Sequence, residues 1–118
     1  MNIYLAGSYS ARKKLADIAM KITQRGHDMH VPAIWLTGKH DDAAPVECAT
    51  ADLQDIKNAD MLVLFTEYPG SRGGMYVELG IALAHRIPVI IVGPYTNVFT
   101  RLCRRIDSVD EFLDERSK

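Results

Sequence analysis

The chain is 118 residues long, which leaves room for one domain with one core and no second lobe. Its formal charge is −1 with acids and bases intermixed, so neither a nucleic-acid polymer nor a membrane surface is an expected partner. No apolar stretch reaches the roughly 20 residues that cross a bilayer. The start Met1-Asn2-Ile3-Tyr4-Leu5-Ala6 reads as a strand rather than a charged leader, and Cys48 and Cys103 fit no metal or redox spacing, so a reducing, cytoplasmic setting is expected.

Ile3-Tyr4-Leu5-Ala6 predicts a first strand that ends at Gly7-Ser8. A helix over residues 10–24 follows, because Leu15, Ile18, Ala19 and Ile22 recur at helical spacing and Gly26 stands where a cap is needed. The turn between them, Gly7-Ser8-Tyr9-Ser10-Ala11-Arg12, supplies a glycine, hydroxyls, a phenol and a cation at a helix N-terminus, where phosphate or sugar hydroxyls bind readily. It lacks the GxGxxG spacing of a dinucleotide fold, and no cofactor is expected. Ordinary capping by Ser8 or Ser10 explains the same residues equally well.

His27-Asp28-Met29-His30-Val31 reads as a short edge strand, since it is polar and Pro32 follows at once. Its two histidines are three apart, which puts them on opposite faces of a strand and excludes joint metal binding. Residues 32–45 form an irregular loop that holds the only tryptophan, Trp35, either a surface for stacking a base or a plug for the end of the core. His40, Asp41 and Asp42 in that loop read as solvated rather than as a metal cluster, and no metal site is expected.

A helix over residues 46–58 is predicted with Ala49, Leu53 and Ile56 inward, Asp52 beside that stripe, and Asp55 and Lys57 toward water. Met61-Leu62-Val63-Leu64-Phe65 is the apolar run of a strand buried on both faces. A polar loop, residues 66–71, leads into Arg72-Gly73-Gly74-Met75-Tyr76-Val77-Glu78-Leu79-Gly80, where the glycine pair opens a helix that ends near His85-Arg86. Residues 87–92 give an internal β-branched strand, and Gly93-Pro94-Tyr95-Thr96-Asn97-Val98-Phe99 a third loop on the same rim. Arg101, Arg104 and Arg105 form a basic cluster able to neutralise a phosphate, although a solvated face is the stronger reading, and Val109, Phe112 and Leu113 let a last helix pack. Strands alternating with helices predict a single doubly wound α/β domain, Rossmann- or flavodoxin-like, its mostly parallel sheet covered by helices on both faces.

Ligands of such sheets collect outside the carboxyl ends of the strands, where the glycine helix begins. Glu78 lies about one turn into that helix, and its neighbours from Met75 to Ala84 are apolar nearly all round. A helix glutamate is ordinarily solvated, and Arg72 or Arg86 would supply a structural partner. An acid inside so apolar a run nevertheless asks for a chemical role. The same apolar circumference exceeds what one sheet face covers, so a homodimer or higher homo-oligomer through this helix is expected.

These residues resemble the nucleoside 2-deoxyribosyltransferase family, which includes the 2'-deoxynucleoside 5'-monophosphate N-glycosidases. The resemblance rests on Ile3-Tyr4-Leu5-Ala6-Gly7-Ser8, on Asp52-Leu53 followed by Ala59-Asp60, on Gly73-Gly74 with Glu78-Leu79-Gly80-Ile81-Ala82, and on Asn97-Val98-Phe99. It implies Glu78 as the nucleophile, Asp52 as the acid assisting at base or sugar, a sugar or phosphate pocket lined by Gly7, Ser8 and Tyr9, and neighbouring subunits that complete the site. Where members of the family carry an aspartate or a serine six residues before the glutamate, this chain has Arg72 preceded by Ser71, which points to an anionic group on the substrate.

The chemistry suits the residues on its own terms. Breaking an N-glycosidic bond builds an oxocarbenium-like centre at C1', which a nearby carboxylate stabilises or traps while a second acid helps the base depart. The expected catalytic set is Glu78, Asp52 and Tyr9, with Tyr9 hydrogen-bonding Glu78. The expected contacts to a nucleoside or nucleotide are Gly7, Ser8, Arg12, Trp35, Ser71, Arg72, Gly73, Gly74 and Asn97. Two other functions fit the same pattern: a nucleotide-sensing domain without turnover, and a flavodoxin-like FMN carrier.

Overall fold

Three short apolar runs form the centre of the sheet and two polar segments its edges: β1 (Asn2–Ala6), β2 (Asp28–His30), β3 (Met61–Phe65), β4 (Val89–Val92) and β5 (Arg104–Ile106) pair in the order β2-β1-β3-β4-β5. Every pairing is parallel. The computed structural model describes residues 1–32, 45–67 and 73–116. Four α-helices lie within them: α1 (Arg12–Thr23), α2 (Pro45–Lys57), α3 (Gly74–Ala84) and α4 (Val109–Arg116). None is long and apolar enough to cross a membrane.

Strand alternation divides the core into two layers. Ile3, Leu5, Val63, Phe65, Ile90 and Val92 face α1 and α4, packing on Leu15, Ile18, Ile22, Phe112 and Leu113. Tyr4, Ala6, Leu62, Leu64, Val89 and Ile91 face the other way, onto Ile56 of α2 and Met75, Leu79 and Ala82 of α3. This is the doubly wound architecture expected from the alternation of strands and helices, in the flavodoxin-like order. The winding reverses between β1 and β3, and ligands of such sheets bind outside the carboxyl ends of the strands at that switch.

Three local features differ from expectation. The first helix begins with a 3-10 turn, Tyr9–Ala11, because Ser8 caps that turn through its hydroxyl before α1 starts. On α2 only Ile56 of the expected stripe is buried, whereas Ala49 and Leu53 are exposed and Cys48, Asp52 and Asp55 are half-buried. The helix is turned so that its acidic side is partly buried toward the sheet, and Asp55, its side chain still 37 % exposed, lies 3.9 Å from His30 on β2. β5 carries no strand signal in the sequence, being two arginines and an isoleucine; in the structure only Ile106 is buried, and the pairing with β4 defines the strand. The basic cluster there is used structurally: Arg104 pairs with Glu115, Arg105 with Asp107 and the Gly93 carbonyl, and Arg101 lies over the Tyr95 ring.

Helix α3 ends on Arg86 in the left-handed region, φ +59°. Its amide donates to the Leu83 carbonyl and that of Ile87 to the Ala82 carbonyl, closing the helix in the manner that favours glycine. Arg86→Gly is therefore expected to stabilise the fold by about 0.5–1 kcal/mol. Urea unfolding of the two proteins checks this, and an unchanged or lower midpoint would contradict it.

Candidate active site

The face of the sheet that α2 and α3 cover carries the candidate chemistry. Gly73, φ +98°, is the N-cap of α3, a conformation that suits glycine, and its carbonyl accepts from the Tyr76 and Val77 amides to start the helix. The helix then buries Met75, Glu78, Leu79 and Ala82 as one stripe against the sheet. Glu78 belongs to that stripe by spacing alone. It is only 9 % exposed, an acid held where leucine would be ordinary.

The group that meets it is Tyr4. Strand alternation aims Tyr4 at α3, its ring is fully buried, and its hydroxyl donates to Glu78 Oε2. The expected bond from Tyr9 is not formed: the Tyr9 ring lies beneath the Arg12 guanidinium, 4.1 Å from its centroid, and Arg12 Nη1 donates to the Tyr9 carbonyl. Tyr9 sits on the 3-10 turn beyond the end of β1, whereas Tyr4 is in the middle of the strand beneath Glu78. A sequence signal for Tyr4 existed. A buried tyrosine seeks a partner for its hydroxyl, and one buried acid on the helix above could supply it.

Burial, first, and the negative charge of Asp52 push the Glu78 carboxyl up from its ordinary 4.5 to about 8, while the Tyr4 hydrogen bond acts in the opposite direction. Burial and the Glu78 charge hold the Tyr4 proton well above the usual phenol range, so Tyr4 remains a donor at any working pH. Asp52 is half-buried on α2 and within electrostatic reach of both. The cluster thus holds one acid with a raised affinity for its proton, one permanent donor and a second acid, a combination typical of catalytic sites.

The expected binding residues divide by location. Gly7 and Ser8 are buried just past β1, where a side chain on Gly7 would come 2.5 Å from Leu15 Cδ1; Ser8 Oγ lies 2.7 Å from Ser10 Oγ. Gly73 and Gly74 open α3 on the same rim. Asn97 caps the 3-10 turn Val98–Leu102, its side-chain oxygen accepting from the Phe99 and Thr100 amides, so its expected contact to substrate is left to its amide nitrogen. Gly93, φ +118°, brings this loop against the end of β3, where a Cβ would lie 2.7 Å from Thr66 Oγ1. Tyr76 and Thr96 then tie the loop to α3 through a 2.7 Å hydroxyl contact. Trp35, Ser71 and Arg72, with His40, Asp41 and Asp42, lie outside the described residues. Among the described residues, no group of three or more His, Cys, Asp or Glu is placed to hold a metal ion.

Comparison with solved structures agrees with the fold. A conserved protein from Enterococcus faecalis V583 is 21% identical with a TM-score of 0.75, over 98% of this chain and 96% of that one. A 2-deoxyribosyltransferase from Bacillus psychrosaccharolyticus is 18% identical with a TM-score of 0.80, over 97% and 91%. A CMP N-glycosidase from Clostridium botulinum is 17% identical with a TM-score of 0.66, over 98% and 97%. No curated protein matches in sequence. The family model described as nucleoside 2-deoxyribosyltransferase matches residues 3–111, a span that takes in Tyr4, Asp52, the glycine pair and Glu78. By that match over nearly its whole length, the chain belongs to the nucleoside 2-deoxyribosyltransferase family, a family of enzymes.

Proposed function

We propose that the protein cleaves the N-glycosidic bond of a (deoxy)nucleoside or its 5'-monophosphate, with Glu78 as the nucleophile. The observation that carries this reading is the buried Glu78 carboxyl, oriented by the Tyr4 hydroxyl and accompanied by Asp52. Glu78 attacks C1' as the bond to the base breaks, and the sugar becomes an ester on its carboxylate. Asp52, protonated at this step, gives its proton to the departing base and regains one from the water or second base that takes the sugar from Glu78. Water then opens the ester, or a second base accepts the sugar. Hydrolysis of a monophosphate is the favoured branch, because Arg12 at the first turn and Arg72 beside the glycine pair in sequence suit a phosphate. Incubation with a panel of deoxynucleosides and their monophosphates, read as free base, tests the proposal; no release from any of them would overturn it and leave the nucleotide-sensing reading.

Tyr4 serves this chemistry in two ways: it fixes the Glu78 rotamer and favours its ionised form. Only the carboxylate is nucleophilic, so kcat/KM is expected to climb about tenfold per pH unit and level off near 8. Tyr4→Phe removes the one interaction that lowers the Glu78 pKa and leaves the burial in place. The acid limb is then expected to move to higher pH, with activity at neutral pH falling roughly ten- to hundredfold. A pH–rate profile of the folded variant that overlays the original would contradict this role.

The protein is further proposed to act as a homodimer or larger homo-oligomer. On the α2–α3 side Val46 is 72 % exposed, Val77 64 % and Leu53 49 %, large apolar side chains that a second copy would remove from water. Sedimentation at micromolar concentration is expected to give at least a dimer, and a monomer there would refute the proposal.

A further inference from the structure

β2 is the outer strand of the sheet, and among the described residues no strand pairs with its far side. The Asp28 amide donates to the Met1 carbonyl, so Asp28 and His30 turn their backbone groups toward β1 while Met29 turns its N–H and C=O outward. Side chains alternate as well. Asp28 and His30 project to the α2 face, where His30 comes 3.9 Å from Asp55, and Met29 packs on the α1 face. Beside Met29 runs an open groove lined by Ala16, Met20 and Thr23 of α1 and by Val31, with Met20 62 % exposed. Lys13, Lys14, Asp17 and Lys21 hold the other exposed positions of α1, so the flank that faces the open edge is the uncharged one.

We propose that this edge is a docking surface for a second copy of the chain, whose β2 joins it antiparallel about a two-fold axis at Met29. The pattern is self-complementary. The two Met29 residues exchange N–H···O=C bonds, and His27 and Val31 of opposite copies continue the ladder. Asp28 then stands opposite the partner's His30, and His30 opposite the partner's Asp28. These are the closer, non-hydrogen-bonded kind of pair, so acid and imidazole N–H meet twice. On the α1 face the two Met20 side chains close the groove over the paired methionines and take apolar surface out of water. β5, the other edge, fails the same test, because a pair centred on Arg105 sets two arginines side by side. Nor does β2 carry the lysine or proline with which exposed edges ordinarily prevent pairing. The surface is separate from the contact proposed through α2 and α3, and it does not depend on Glu78. Two different two-fold contacts on one chain join dimers into a tetramer.

Sedimentation of the full chain at micromolar concentration, with amide hydrogen exchange read at Met29, tests the proposal. Met20→Glu puts two like charges beside the axis at an exposed helix position. It is expected to halve the mass of the particle and to speed exchange of the Met29 amide by about tenfold or more. Asp28→Lys and His30→Glu are each expected to halve the mass too. An equimolar mixture of those two is expected to restore it, since the new base of one copy then faces the new acid of the other. An unchanged mass or an equally slow Met29 amide in Met20→Glu, or a mixture that stays at half mass, would overturn the proposal. Equal masses in every variant would leave the edge to an extended segment of another protein, and would overturn it likewise. A fall from tetramer to dimer keeps the α2–α3 contact, and a fall from dimer to monomer refutes that contact alone. A dimer indifferent to all three variants refutes the β2 contact alone.

Discussion

Glu78→Gln is expected to reduce base release by about ten-thousand-fold or more while leaving the fold intact. The amide keeps the shape of the carboxyl and still accepts from Tyr4, so the buried stripe of α3 repacks little. What it loses is nucleophilicity, because an amide forms no stable ester with C1' and does not neutralise a developing oxocarbenium. Single-turnover assays on the preferred nucleotide, with folding checked by circular dichroism, measure the effect. Retention of more than a few per cent of the rate would remove Glu78 from the mechanism. A trapped sugar ester on Glu78 in the original protein, absent from the variant, would be its direct counterpart.

The same substitution is expected to make the protein more stable, by an amount that depends on pH. Glu78 binds its proton up to about pH 8 when folded, but releases it near 4.5 when its surroundings are those of an unfolded chain. Between those values the native state holds a proton that the unfolded state has lost, so stability falls as pH rises through this window, by up to about 1.4 kcal/mol per unit. Glutamine has nothing to ionise. At pH 5 the two proteins should unfold at similar temperatures, and at pH 9 the variant should be more stable by a few kcal/mol, or roughly 10 °C in Tm. Parallel thermal scans from pH 5 to 9 check both sign and window. Curves that run parallel would mean the carboxyl is not held at a cost. The gain in stability at the expense of activity is the usual signature of a strained functional group.

Much of the frame was legible from residue order. Met61-Leu62-Val63-Leu64-Phe65 and Val89-Ile90-Ile91-Val92 are apolar throughout, and such runs bounded by turns have few options besides a strand covered on both faces. The glycine pair and the acid one turn beyond it marked both the start of α3 and the group most in need of explanation. Less legible was α2. Its apolar residues Val46, Ala49 and Leu53 follow helical spacing as well as any core stripe, yet Val46 and Leu53 face outward. Spacing fixes which residues share a face, but not which face meets the sheet. β5 was missed for a related reason: three residues with two outward arginines carry no strand pattern, and only the neighbouring β4 gives them one.

By itself the sequence determined an α/β domain with parallel strands, placed Glu78 and Asp52 on helices, and carried the order of motifs that marks the family. Only the tertiary structure decided what Glu78 touches. Its partner Tyr4 lies 74 positions away, and they meet because strand alternation points Tyr4 from the sheet toward α3 and helical spacing points Glu78 from α3 onto the sheet. The rotation of α2 that brings Asp52 and Asp55 to the sheet was decided there too. Such contacts are set by the packing of one element against another, a property that no local pattern contains.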